Sequence, residues 1–376
     1  MKKKILFNCT TNIVGGGAKN SYIFIEFLST FKKIDNLFCC VSPQVYNLLI
    51  DQDFINKNQL FLFKTSPSKS IKSRNRLKKI VEENNIDLVY TMAGPAYVNF
   101  KCTHVLGISN PYLTHANYKI LNFSVKELIF TKLLVAYQAF WAKKADFMVF
   151  QTFQSRNGWL NKNKFDKEKT SVVANSFDLK FIDLYKNCNF FKSYTNAKVV
   201  FIPGSAFHHK NHIIIFKILE KHLKLIETLN IIFVTTLGEN TSIYKSMHSK
   251  LANIDALKYW DNLGKVNYNS ICEIYKMSDV IFISSLLETF SATYLEAMIT
   301  EKPLVAMKLS FAEEICKEHA VYADPNNVND IVGKLTKALS NDRKNTKSLN
   351  YVKKNFVSSA ERNNLIFNLI SSKFKK

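Results

Sequence analysis

The sequence predicts an α/β protein: two doubly wound, Rossmann-like parallel-sheet domains in series, facing a central cleft. Three observations predict it. The chain has 376 residues, more than one hydrophobic core usually supports. Strand-like runs alternate with helical patterns along most of it, which indicates parallel βαβ units. The rhythm breaks once, from Phe177 to Asn196, a polar and aromatic segment without a strong strand, and then restarts. The domains are therefore expected at 1–178 and 197–376, with the break as their connection and basic C-terminal helices closing the second.

The elements follow in order. Met1-Lys2-Lys3-Lys4 could open a leader peptide, but the apolar run behind it is short and ends in Thr10-Thr11-Asn12 and a glycine cluster. Ile5–Cys9 is therefore read as a buried first strand. A turn at Val14-Gly15-Gly16-Gly17 and a helix from about Lys19 to Phe31 come next. Further strands are expected at Leu37–Val41, Leu60–Phe63, Asp87–Tyr90 and Phe147–Gln151. After the break they are expected at Lys198–Ile202, Ile231–Val234, Val280–Ser284 and Leu304–Ala306. Leu128 to Ala142 is the longest apolar stretch; it holds Lys132 and Gln138 and is too short to be read as a membrane span.

Composition narrows the function classes. Lys plus Arg number 52 against 30 Asp plus Glu, a formal net charge of +22, which attracts nucleotides, anionic headgroups or nucleic acid. A nucleic-acid-binding protein is the rival reading of this charge, but no helix-turn-helix, zinc-finger or RNP-like pattern accompanies it. The seven cysteines (Cys9, Cys39, Cys40, Cys102, Cys188, Cys272 and Cys316) are odd in number and lack C-x-x-C spacing. That fits a reducing compartment and no zinc site.

Ligands of doubly wound sheets bind beyond the carboxyl ends of the strands, and three segments lie there. Gly15-Gly16-Gly17 lacks the G-x-G-x-x-G spacing of a dinucleotide site; Gly16 and Gly17 could let a phosphate approach the backbone, or could simply form a tight turn. In Pro203-Gly204-Ser205-Ala206-Phe207-His208-His209-Lys210-Asn211-His212, Lys210 is placed to meet a diphosphate. The three histidines have no carboxylate or thiolate nearby to complete a metal site, so none is expected. In Ser284 to Met298, Glu288 falls in a loop and Glu296 one to two turns into a helix starting near Phe290 or Ser291, whose first N–H groups suit an anion.

Here the residues reach a resemblance. Ile274 to Ser285, the Glu288-x7-Glu296 spacing, Lys302-Pro303-Leu304-Val305 and Ala323-Asp324-Pro325 resemble the C-terminal lobe of glycosyltransferase family 4, a group of retaining GT-B enzymes. Lys210 falls where that family carries its diphosphate lysine. His209-Lys210-Asn211 is similar to a subgroup in polysaccharide and lipopolysaccharide assembly. Val172 to Asn175 and Gly16-Gly17 are similar to the family's N-lobe segments. Ser205 stands where the family has arginine, Thr289 and Ser291 where it has glycines, and Glu301 where a glycine precedes Lys302-Pro303.

The resemblance implies a retaining, hexosyl-type glycosyltransferase with a UDP- or GDP-linked sugar as co-substrate, no other cofactor and no metal. Glu288 and Lys210 would be catalytic. Glu296 would hold the ribose hydroxyls, and Phe290, Ser291, Ala292, Gly16 and Gly17 would complete the donor site. The acceptor would be a glycan or lipid-linked glycan, and no nucleic-acid partner is implied. A GT-B-like protein that binds nucleotide or glycan without turnover is the alternative.

The first domain also carries Lys69, Lys72, Arg74, Arg76, Lys78 and Lys79 in one stretch, and an aromatic helical segment, 122–144, with Phe130, Tyr137, Phe140 and Trp141. The basic stretch is expected to meet an anionic membrane surface from the cytoplasmic side; the aromatics are expected to be core. His104 and His115 lie near strand ends and are expected to be structural.

Overall fold

The computed structural model describes residues 3–13, 15–114, 117–121, 123–188, 194, 196–340 and 345–374. The chain forms two compact units: residues 1–116 with 123–174 and 360–376, and residues 117–122 with 175–359.

The first unit is built on a parallel sheet of order β3-β2-β1-β4-β5-β6-β7. Its strands are β1 (Ile5–Cys9), β2 (Leu37–Val41), β3 (Leu60–Leu62), β4 (Leu88–Thr91), β5 (Thr103–Ile108), β6 (Phe147–Phe150) and β7 (Thr170–Val172). β1 sits in the middle, with Ile5 opposite Leu37 on one side and Leu88 on the other. Covered on both faces, a parallel strand reads as a near-continuous apolar run rather than an alternating one; all five residues of β1 and of β2 are buried, and the one polar residue among them, Asn8, donates to Thr91 Oγ1 at 3.2 Å. The strands missed in the sequence are those that break this pattern: β5 opens on Thr103-His104, and β7 is a half-buried Thr-Ser-Val.

The helices of this unit are α1 (Gly15–Glu26), α2 (Pro43–Leu49), α3 (Ile71–Glu83), α4 (Pro111–Thr114), α5 (Val125–Ala142) and α6 (Phe153–Lys162). Two expectations are corrected here. The glycines do not form a turn before the first helix: they are its first turn, and the helix then widens into a π turn over Phe27–Phe31. The aromatics of 122–144 are not core. Of the described side chains of α5 only Ala142 is buried, while Phe130 is 68% exposed, Leu133 67% and Phe140 53%. Helical period alone cannot tell a buried apolar helix from an apolar surface helix, because α5 is apolar nearly all round.

The second unit repeats the plan with order β10-β9-β8-β11-β12-β13. Its strands are β8 (Lys198–Phe201), β9 (Ile231–Thr235), β10 (Trp260–Asn262), β11 (Val280–Ile283), β12 (Leu304–Met307) and β13 (Val321–Ala323), all paired in parallel. Its helices are α7 (Leu179–Asn187), α8 (Ile214–Thr228), α9 (Ser242–Ala252), α10 (Tyr268–Met277), α11 (Ala292–Ile299), α12 (Ser310–Cys316), α13 (Val328–Ser340) and α14 (Ser348–Asn355). The segment read as a connection thus holds α7, whose Phe181 is fully buried and meets Tyr275 edge-on at 5.5 Å.

The last helix, α15 (Ser359–Ser371), also differs from expectation. Residues 360–376 belong to the first unit, not the second, and Ile366 and Ile370 join the core cluster of β1 and β2. An apolar pair four residues apart marks a buried helix face but carries no sign of which sheet it covers.

Five of the seven cysteines, Cys9, Cys39, Cys40, Cys272 and Cys316, are buried. Burial pushes the thiols of Cys9 and Cys272 up to about 12 and raises the other three as well. Since the thiolate is the reactive form, a thiol reagent at neutral pH is expected to modify Cys102 and Cys188 in the native protein and the other five only on unfolding. Mass spectrometry after brief labelling, with and without denaturant, checks this.

Candidate active site

In both sheets the chain order reverses at one place, between β1 and β4 in the first unit and between β8 and β11 in the second. Loops diverging from the carboxyl ends of such a strand pair leave a crevice between them, the usual ligand position in open α/β sheets. In the second unit the loop after β8 carries Lys210 and the loop after β11 carries Glu288.

Lys210 is held by its own loop. Gly204 has φ +139, a conformation L side chains rarely adopt, and a Cβ there would stand 3.4 Å from the Lys210 Cδ. A glycine therefore gives the turn and clears the lysine stem. The chain then makes one 3₁₀ turn, His208–Lys210, that ends on Asn211 in the left-handed region at φ 56, a conformation asparagine tolerates better than most residues. The loops are tied together through the backbone. The Ser284 hydroxyl donates to the Lys210 carbonyl at 2.7 Å, and the Leu286 N–H donates to the His209 carbonyl at 2.8 Å.

These ties bring Lys210 Nζ to 2.5 Å from Glu288 Oε1, with side chains only 12% and 9% exposed. The contact is a charge pair, without the alignment of a hydrogen bond at that oxygen. Lys210 Nζ also donates to Ser291 Oγ at 3.2 Å, and Ser291 Oγ lies 2.7 Å from Thr293 Oγ1. Ser291 is the N-cap residue of α11, yet its side chain does not cap the helix. It is turned to Lys210 and Thr293 instead, so the positive end of α11 faces the same corner as the lysine.

Glu296 lies one turn into α11. Its Oε2 accepts a hydrogen bond at 3.1 Å from the hydroxyl of Tyr275 on α10. Tyr275 is fully buried and meets Phe201 edge-on at 5.1 Å, so one carboxylate oxygen is fixed by a rigid ring. Tyr275 and Ser284 were legible only as part of a resemblance, with no role attached. Phe290 is buried edge-on against Phe356 at 5.8 Å, so its contribution to an anion site rests on backbone, not ring.

His209 and His212 are both held below the usual imidazole range. His212 is buried, and neither ring nitrogen has a hydrogen-bond partner; burial, with help from the Lys210 charge, lowers its pKa to about 3. His209 is lowered to about 4 by burial, against the opposing pull of Glu288, and stacks on Phe207 at 5.5 Å. Among the described residues no group of three or more His, Cys, Asp or Glu is gathered as a metal site would require.

In the first unit, Gly16 and Gly17 occupy the first turn of α1, at the carboxyl end of β1. Neither has positive φ, and a Cβ on Gly17 would make only ordinary contact with Asn12 at 3.7 Å; nothing steric demands glycine there. Ser205, which stands where the family it resembles has arginine, is exposed. Glu301 takes φ 56, which accounts for the glycine at that place in the family. His104 lies in β5, buried, with Nε2 2.9 Å from Thr91 Oγ1; His115 lies outside the described residues.

Comparison with known proteins supports the fold. Two parallel Rossmann-like sheets with these strand orders are the GT-B fold. A glycosyltransferase from Rickettsia africae superposes with a TM-score of 0.71 over 99% of both chains at 16% identity. The sucrose-phosphate synthase of Thermosynechococcus elongatus gives 0.72 over 99% of both at 12% identity. HepE of Anabaena in complex with UDP-glucose gives 0.67 at 17% identity, over 98% of this chain and 99% of that one. Residues 187–355, the stretch that contains the Lys210 and Glu288 loops, match the family described as Glycosyl transferases group 1. No curated protein sequence matches the chain closely enough to count as related.

Proposed function

We propose that the protein is a retaining glycosyltransferase that moves a sugar, of hexosyl type, from a UDP- or GDP-linked donor to a glycan or lipid-linked acceptor. The observation that carries the reading is the corner formed by Lys210, Glu288 and the N-terminus of α11, at the switch point of the sheet that matches the group 1 family. HepE, a structural neighbour, is seen with UDP-glucose, which supports a nucleotide-sugar donor here.

Negative charge builds on the diphosphate as the sugar leaves. Lys210 and the backbone N–H groups of Phe290, Ser291 and Ala292 would receive that charge; donors fixed beforehand stabilise such a transition state without reorganising during it. Glu288, paired with Lys210, would contact the donor sugar and keep the ammonium aimed. Glu296, with one oxygen held by Tyr275, would accept hydrogen bonds from the ribose hydroxyls. Gly16 and Gly17 stand as the first unit's own phosphate contact. The work would lie in cell-surface polysaccharide or lipopolysaccharide assembly, which the resemblance at His209-Lys210-Asn211 supports, on the cytoplasmic side at an anionic membrane surface, which the odd set of cysteines and the basic stretch from Lys69 to Lys79 support. Among the described residues no helix is long and apolar enough to cross a membrane.

Thermal unfolding in EDTA with a panel of UDP-, GDP- and other nucleotide sugars tests the reading. A ligand that binds only the folded state raises the midpoint by mass action. One donor class is expected to do so, and Glu296→Ala is expected to weaken it by at least about tenfold, the cost of a charge-assisted hydrogen bond. No shift with any donor, alongside a large shift with RNA or DNA, would contradict it. Binding without turnover in any acceptor screen would leave a nucleotide-binding protein in its place.

A further inference from the structure

We infer that the outer face of α5 is a lipid-docking surface that inserts into the headgroup layer of an anionic bilayer. The inference gives the membrane-surface part of the function proposed above a definite place on the molecule.

At about 100° per residue, Ile129, Leu133, Tyr137 and Phe140 lie along one side of α5, with Phe130 and Leu134 beside them. All six are exposed, from Tyr137 at 38% to Phe130 at 68%. The opposite stripe, Leu128, Val135, Ala139 and Ala142, is the one turned inward; Val135, Ala139 and Ala142 belong to or pack on the core cluster of β5 and β6. The helix therefore has an apolar side for its own core and a second apolar side left over. Contiguous exposed apolar surface of this kind marks a contact site rather than ordinary surface.

Charge selects the occupant. The outer apolar side is bracketed by Lys126 before it and Lys144 after it, with Lys132 and Lys143 on its margin. The Lys144 ammonium stands 5.1 Å above the Phe140 ring. The single acid of α5, Glu127, is committed to capping the helix start through Ser124. Next to this face lies α3, and the two are joined by Arg74. Its guanidinium packs on Tyr97, Tyr137 and Trp141 at 5.8, 5.8 and 5.3 Å. The exposed Ile71, Lys72 and Arg76 extend the same combination of basic and apolar groups.

A band of Leu, Ile and Phe with Tyr and Trp at its edge and lysines around it is the chemistry of a helix lying in the plane of an anionic membrane. A second copy of the chain would fit worse: pressing two such faces together sets lysines against lysines with no acid to meet them.

Co-sedimentation of the full chain with phosphatidylcholine vesicles, with and without phosphatidylglycerol, tests this in the absence of nucleotide sugar. The outcome therefore does not depend on whether the sugar-transfer reading holds. The protein is expected to partition onto the phosphatidylglycerol vesicles only, and less so as salt rises. Leu133→Asp is expected to lower the partition at least about tenfold, and Lys126→Glu or Lys144→Glu each at least about fivefold. All three positions are exposed, so an unchanged melting temperature should show that the fold survives. Trp159 and Trp260 are buried, so a blue shift of tryptophan emission on vesicle addition would report Trp141. No partition onto either vesicle would overturn the proposal, as would partition that Leu133→Asp leaves intact. So would a dimer in sedimentation velocity that Leu133→Asp dissolves while vesicles bind nothing.

Discussion

Lys210→Met is expected to lower both the rate of sugar transfer and the stability of the second unit, for separable reasons. The rate should fall about 10²–10³-fold, the usual loss when one fixed donor to a developing oxyanion is removed. The stability loss arises before any substrate binds. Lys210 and Glu288 are nearly buried and 2.5 Å apart, and removing one partner leaves a charge with no counterpart in poor solvent, at a cost of about 3 kcal/mol. Glu288→Leu in the wild-type background should be destabilising for the same reason. The double variant Lys210→Met/Glu288→Leu should recover to within about 1 kcal/mol of the wild type, since two apolar groups replace two mutually dependent charges. It should remain inactive. Chemical denaturation and a transfer assay on all four proteins check the pattern. A double variant less stable than either single one would mean that the pair is not coupled as the geometry implies.

Acidification from pH 7 to pH 5 is expected to cost about 2 kcal/mol for each of His104 and His212. Both imidazoles are buried, and burial lowers each from 6.5 to about 3. In the unfolded chain they take up a proton near 6.5; in the folded chain they do so only near 3. Below 6.5 the unfolded state thus binds more protons, and stability falls as pH falls. The contribution is fully present above about 6.5 and is lost progressively between 6.5 and 3. His104 belongs to the first unit and His212 to the second, so both are weakened. His209, lowered to about 4, acts in the same direction. Denaturant titrations at pH 7 and pH 5 measure the effect. His104→Phe should remove about 2 kcal/mol of the pH dependence, whatever it does to stability at pH 7.

What could be read in the sequence divides by physical cause. Strands covered on both faces, such as Ile5–Cys9 and Val280–Ile283, announce themselves because burial makes them nearly continuous apolar runs, broken in these two only by Asn8. Strands with polar openings or half-covered edges, β5, β7 and β10, do not. The Lys210 loop stands out in the sequence as a strand-end segment where ligands of such sheets bind, whereas Glu288 and Glu296 stand out through the resemblance in their spacing, since two glutamates so spaced are by themselves more often solvated. The closure of Lys210 and Glu288 into an ion pair was not legible, since it depends on Ser284 and Leu286 bonding across the sequence to residues 209 and 210. The orientation of α5 could not be read at all: its sequence is apolar on the side facing its core and on the side facing solvent. The sequence assigns α15 to the second domain, yet it packs on the first, because nothing in the spacing of Ile366 and Ile370 marks which sheet they cover.

The central claim is that Lys210 meets the diphosphate of a nucleotide sugar. Calorimetric titration of the wild type and Lys210→Met with nucleoside diphosphates and the matching monophosphates, in EDTA, tests it most directly. The wild type should prefer the diphosphate of one base by at least about tenfold, the worth of one charge-assisted contact. Lys210→Met should bind the two alike, with the monophosphate affinity unchanged. A preference for the diphosphate that survives in Lys210→Met, or none in the wild type, would contradict the account.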